Sequence, residues 1–103
     1  MKKILLVCTT GLTMSILLAK MTKIIFANQL SIEVLAVSAE RAVAEYQEIE
    51  VDMVLLSPQV RYLKGKFEKL TIADKIPLVV IDMRDYGMID GESILLQAAK
   101  FLE

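Results

Sequence analysis

Ile4-Leu5-Leu6-Val7-Cys8-Thr9-Thr10-Gly11-Leu12-Thr13-Met14-Ser15 is the stretch on which the fold turns. A short apolar run ends in a cysteine, crosses two threonines and a glycine, and leads toward a helix that this reading begins at Ile16. A strand giving way to a small polar loop and then to helical spacing opens a β-α unit. Apolar runs return at residues 32–37, 53–56 and 78–81, and three of the four runs contain no polar residue. Unbroken runs suit parallel strands covered on both faces. The second run carries Glu33, which places it nearer a sheet edge.

Helical spacing fills the intervals. Leu17, Met21, Ile24, Ile25 and Asn28 recur at three and four, as do Val60, Leu63, Phe67 and Leu70. Leu95, Ala98, Ala99 and Leu102 form a last stripe, which puts the N-cap of that helix at Asp90. Residues 39–46 are helical by propensity, starting at Ser38 or Ala39, with Ala42, Val43 and Tyr46 inward. Pro58 follows the third run, Pro77 opens the fourth, and Gly87 and Gly91 bracket the turn into the last helix. Four β-α units with right-handed crossovers make an α/β fold. The expected architecture is one domain over residues 1–103, a small doubly wound four-stranded parallel sheet of order 2-1-3-4 with helices on both faces.

Composition narrows the chemistry. Twelve Lys plus Arg against thirteen Asp plus Glu leave a net charge of −1, which argues against broad contact with nucleic-acid phosphates. There is one cysteine, Cys8, and no histidine. A Ser-His or Cys-His pair, a His-ligated metal and a histidine general base are all excluded, and no cofactor is called for. One thiol permits no internal disulfide, so a reducing, cytoplasmic setting is the expectation. The basic start Met1-Lys2-Lys3 precedes an apolar run too short for a secretion signal.

In doubly wound sheets ligands bind beyond the carboxyl ends of the strands, beside the first. That spot holds Cys8 and the loop Thr9, Thr10, Gly11, Leu12, Thr13, Met14 and Ser15. Gly11 permits a positive-φ turn, the backbone N–H groups after it can converge on an anion, and four hydroxyls can add donors. The positive end of the helix is expected to favour the Cys8 thiolate, making it a nucleophile at neutral pH. A buried structural cysteine followed by helix-capping hydroxyls is the plainer alternative. The loop lacks the Gly-Lys-Ser/Thr of a phosphate-binding nucleotide loop. It also lacks the arginine that a cysteine phosphatase carries six residues after its nucleophile, where Met14 stands. Such a site suits holding a phosphoryl group on sulfur better than hydrolysing it.

Three segments together resemble the IIB components of the bacterial phosphoenolpyruvate-dependent sugar phosphotransferase system, of the lactose/cellobiose (chitobiose) type. They are the segment quoted first, then Asp52-Met53-Val54-Leu55-Leu56-Ser57-Pro58-Gln59-Val60, and Ile81-Asp82 with Tyr86-Gly87-Met88-Ile89-Asp90-Gly91. The resemblance implies a topology like that of low-molecular-weight tyrosine phosphatases. It implies that Cys8 accepts a phosphoryl group from a phosphohistidine on a IIA protein and passes it to a sugar such as cellobiose, lactose, chitobiose or another β-glucoside. The sugar enters through the membrane permease IIC, against which the chain would dock from the cytoplasm. The missing histidine is then the partner's.

Gln59 and Tyr86 are secondary candidates: Gln59 reaches toward the loop or caps a helix, and Tyr86 flanks the loop, docks a partner or packs. Asp82 admits either a site or a capping role. Lys20, Lys23, Lys64, Lys66 and Lys69 read as solvated. The six methionines read as mainly core, with Met14, like Leu12, an exception available to a partner's docking face. Two other classes compete: a flavodoxin-like regulatory or nucleotide-binding module with an incidental cysteine, and a small tyrosine phosphatase. The first lacks a Rossmann glycine pattern and the second lacks its arginine.

Overall fold

The structure, a computed structural model, describes residues 1–9 and 11–102. Four strands, β1 (Lys2–Cys8), β2 (Ile32–Ser38), β3 (Met53–Leu56) and β4 (Leu78–Val80), form one parallel sheet in the order β2-β1-β3-β4. Topology and strand order are as the sequence suggests. β1 is central because its five residues from Ile4 to Cys8 are apolar and wholly buried, whereas β2 keeps Glu33 exposed at the edge. Asp52 fixes the start of the β1–β3 register. Its carboxylate accepts the Lys3 N–H at 2.8 Å, and its own N–H donates to the Lys3 carbonyl at 2.7 Å.

The side-chain alternation of β1 divides the interior in two. Ile4, Leu6 and Cys8 join Met53 and Leu55 of β3 on one face. Over them lie α1 (Leu12–Ala27), through Leu17 and Met21, and α5 (Gly91–Phe101), through Ile94, Leu95 and Ala98. Leu5, Val7, Val54 and Leu56 face the other way, under α2 (Ala42–Glu48) and α3 (Lys64–Asp74). There Phe67 meets Tyr46 edge to face, with centroids 5.8 Å apart. The Tyr46 hydroxyl donates to the Asp74 carboxylate at 2.6 Å.

Several local expectations are corrected. α1 begins at Leu12, four residues before Ile16, so Leu12 to Ser15 form its first turn rather than a loop. α2 begins at Ala42, because Ser38 is still the last rung of β2 and pairs with Cys8. The helix expected through Val60 and Phe67 is two pieces, a 3-10 helix over Pro58–Leu63 and then α3. Pro58 suits the first helical position, and the irregularity lies at Val60, whose φ of −111° is not helical. Gly87 and Gly91 do bracket the turn into the last helix, but a short helix that the sequence did not suggest, α4 (Met83–Gly87), precedes that turn. Asp82 caps it, accepting the N–H groups of Arg84 at 2.8 Å and Asp85 at 3.2 Å. Asp90 caps α5 as expected, accepting from Ser93 at 3.0 Å. Of the methionines only Met21 and Met53 are fully buried, while Met1, Met83 and Met88 are exposed. Among the described residues no helix is long and apolar enough to cross a membrane.

Candidate active site

The carboxyl end of the sheet gathers Cys8, the start of α1, the residues after β3 and the short helix α4. Cys8 ends β1 with no solvent exposure. Gly11 then takes φ 142°, a conformation that L side chains rarely adopt, which is why glycine stands there. It serves as the N-cap of a sixteen-residue helix that has no side-chain cap and no acidic residue in its first turn. Among the described residues no side chain claims the first N–H groups of α1, beside the end of β1.

The loop candidates divide. Thr9 and Thr13 are exposed, and Thr10 lies outside the described residues. Ser15 is exposed but turns back, its Oγ donating to the Gly11 carbonyl at 3.4 Å. Leu12 stands in solvent at 76% exposure, a surface suited to contact with another protein. Met14 instead leans on the core cluster that contains Cys8.

Tyr86 is the buried residue of α4 and packs in the same cluster as Cys8. Its hydroxyl and that of Ser57 stand alongside the sulfur and pull the thiol's pKa down by hydrogen bonding. Burial prevails, however, and pushes Cys8 from 9.0 up to about 11. The expected thiolate at neutral pH is corrected accordingly: without a ligand Cys8 is a thiol. Tyr86 is raised too, first by its burial and then by the charge of the neighbouring sulfur.

Ser57, to which the sequence reading gave no role, closes the group. It follows β3 directly, and its N–H donates to the Val7 carbonyl at 2.9 Å. Leu56 pairs with Val7, so the next rung sets Ser57 beside Cys8. Odd residues of β3 share the face of even residues of β1, which turns both side chains the same way. Ser57 is fully buried, and among the described residues its Oγ is the buried side-chain polar atom without a well-formed hydrogen bond. Leaving a hydroxyl so placed costs about 1–3 kcal/mol. The legible signal was a serine ending an apolar run on the strand next to β1.

Gln59 lies one turn outward, exposed, on a groove of about 460 Å³ shared with Pro58, Arg61, Tyr62, Met83 and Tyr86. The structure therefore brings Gln59 and Tyr86 to one groove. A larger cavity, about 800 Å³, lies at the opposite, amino end of the strands among Lys2, Asp52, Asp74 and Lys75. It is remote from the cysteine.

Set against known proteins, residues 3–97 match the family described as the PTS system, lactose/cellobiose-specific IIB subunit. This chain belongs to that family. The oligo-beta-mannoside-specific EIIB component of Bacillus subtilis is 35% identical over 102 residues, covering 99% of this chain and 97% of the relative. The galactose-specific EIIB component of Lactococcus lactis is 34% identical over 104 residues, covering 98% and 96%. The cellobiose-specific phosphotransferase IIB component of Borrelia burgdorferi, a solution structure, superposes with a TM-score of 0.76 at 32% identity. It covers 96% of this chain and 89% of its own. IIB subunits are sugar phosphotransferase components that work with IIA and IIC partners, and phosphoryl transfer to sugar is their general role. In this IIB subunit the three resembling segments bring Cys8, Ser57 and Tyr86 together at the carboxyl end of the sheet.

Proposed function

We propose that Cys8 is the phosphoryl carrier of this IIB subunit, taking the group from a phosphohistidine of a IIA protein and giving it to a sugar entering through IIC. The observation that carries this reading is the placement of Cys8, the chain's one nucleophilic thiol, at the end of the central strand. There the turn at Gly11 and an uncapped helix start flank it. In the first step the sulfur bonds to phosphorus as the phosphorus–nitrogen bond of the phosphohistidine breaks. The nitrogen keeps that electron pair and takes the thiol proton. In the second step a sugar hydroxyl oxygen bonds to phosphorus, the sulfur keeps the pair of the broken phosphorus–sulfur bond, and the hydroxyl proton restores the thiol.

The N–H groups at the start of α1, together with Thr9, Thr10, Thr13 and Ser15, hold the phosphoryl oxygens in this scheme. Without an arginine in the loop the phosphocysteine persists until sugar arrives. Exposed Leu12, with Gln59, Tyr62 and Met83 around the nearby groove, offers the face on which IIA and IIC alternate. The substrate is a β-linked disaccharide or β-glucoside, the class that includes cellobiose, lactose and chitobiose. Relatives named for different sugars stand at nearly equal identity, 35% and 34%, so the chain as a whole carries little of the sugar choice.

Intact mass after incubation with phosphoenolpyruvate, the upstream carriers and the cognate IIA provides the test. The wild-type chain gains one phosphoryl group, the Cys8→Ser chain gains none, and adding sugar with IIC removes it. A wild-type chain that stays unmodified overturns the reading.

A further inference from the structure

Two hydroxyls stand beside the Cys8 sulfur, and they differ in what else holds them. Tyr86 belongs to α4 and has the packing of an aromatic ring to fix it. Ser57 has no such anchor: it is small and fully buried, and its Oγ has no well-formed hydrogen bond among the described residues. Its backbone is already tied to β1 and to the following 3-10 helix, with its N–H on the Val7 carbonyl and its carbonyl taking the Val60 N–H at 3.0 Å. No well-formed hydrogen bond claims the hydroxyl, which stands between the Tyr86 hydroxyl and the sulfur of Cys8 and acts on both.

A neutral thiol is a weak hydrogen-bond acceptor, whereas a thiolate is a strong one. A donor without a well-formed bond next to a thiol thus gains a strong partner when the sulfur becomes negative. That happens at two points of the reaction proposed above: as Cys8 loses its proton to attack phosphorus, and as the phosphorus–sulfur bond breaks with its electron pair left on sulfur. We propose that Ser57 donates a hydrogen bond to the Cys8 sulfur when that sulfur carries negative charge, stabilising it both as nucleophile and as leaving group.

The surroundings leave this task to the hydroxyls. The titratable side chain acting on the sulfur is Tyr86. Asp82 is engaged in capping α4, the Asp85 carboxylate accepts from Ser93 at 3.3 Å and Gln97 at 3.1 Å, and Arg84 is exposed. Ser38 of β2 occupies the Cys8 rung on the other side, but it is only half-buried and exerts no pull on the thiol.

The experiment has two arms, of which only the second rests on the carrier reading. In the first, the rate of Cys8 alkylation by iodoacetamide is measured between pH 7.5 and 9.5 for the wild type, Ser57→Ala and Ser57→Thr. The rate follows the thiolate fraction, so loss of one charge-assisted hydrogen bond slows Ser57→Ala about tenfold at every pH. Ser57→Thr, which keeps the hydroxyl, returns to within about threefold of wild type by the same reasoning. An unchanged or faster rate in Ser57→Ala, or a Ser57→Thr chain as slow as Ser57→Ala, overturns the proposal. In the second arm, phosphocysteine formed with the upstream carriers is followed as it passes to sugar through IIC. Ser57→Ala discharges several-fold more slowly, because its leaving thiolate has lost a donor. Equal discharge rates overturn the leaving-group half. If no variant is phosphorylated at all, the carrier reading fails while the alkylation arm still decides the role of Ser57.

Discussion

Burial and hydrogen bonding act on the Cys8 sulfur in opposite directions, and the larger effect is burial, which raises the thiol to about 11. A thiol of raised pKa stabilises the folded chain below the unfolded value of 9.0, and that contribution is lost as pH rises toward 11. The unfolded chain ionises first, so alkali draws the equilibrium toward it. Tyr46, raised to about 12 by burial and by Asp74, adds a similar loss that begins a unit later, above its ordinary 10.0. Comparing the wild type with Cys8→Ser separates the two, since a serine hydroxyl does not titrate in this range. Urea unfolding between pH 8 and 11 should show the wild type losing about 2 kcal/mol more than the variant. Parallel curves would mean that the sulfur is better solvated than its position implies. The position of Cys8 was legible in the sequence, because an apolar run fixes where a strand ends. Its protonation was not: the helix start argued for thiolate, and the depth of burial that opposes it exists only once α4 folds over the strand.

Three helices end in the same way, and none of the three uses glycine to do it. Gln29, Lys75 and Ile89 have φ of 52°, 58° and 51° just past α1, α3 and α4. At Lys75 the N–H donates to the Ile72 carbonyl at 3.2 Å and the next N–H, of Ile76, to Thr71 at 2.8 Å. That pair of bonds defines a Schellman end, with Lys75 in the left-handed position. Gln29 with Leu30 and Ile89 with Asp90 repeat the pattern. A side chain in this conformation costs about 1–2 kcal/mol relative to glycine, partly offset by the greater freedom of glycine when unfolded. Lys75 is exposed, so Lys75→Gly loses little packing and should raise stability by about 0.5–1 kcal/mol in urea melts. A loss of stability would mean that the lysine side chain contributes more than its conformation costs. These ends also show why element boundaries were less legible than the elements themselves. Hydrophobic spacing located α1, α3 and α5, but a helix end written as Gln, Lys or Ile carries no punctuation that a reader of the sequence would notice. The same holds for α4, whose five residues are too few to show a period and whose start depends on one capping aspartate, Asp82.

The sheet separates the surroundings of Cys8 from the second interior of the molecule. Cys8, Tyr86, α1 and α5 belong to one interior, and α2, α3 and the 3-10 helix to the other, with β1 contributing alternate side chains to both. That division follows from strand alternation, and the unbroken runs at residues 4–7 and 53–56 already required it. Substitutions can therefore be sorted by face. Phe67 is fully buried on the face away from the site, and Phe67→Ala should cost about 3–5 kcal/mol through lost burial and the cavity it leaves. Where that variant is still folded, the Cys8 alkylation rate at pH 8 should match the wild type, because no group from that face acts on the sulfur. Tyr86→Phe is the complementary change. It keeps the ring that fills the interior but removes a hydroxyl that favours the thiolate, so stability moves little while alkylation slows several-fold. The two measurements are independent, urea melts for stability and reagent kinetics for the sulfur, and they should separate into two classes. A Phe67→Ala chain that melts cooperatively yet reacts at an altered rate would show the two faces to be coupled through β1. The sheet would then be tuning the sulfur as well as holding it.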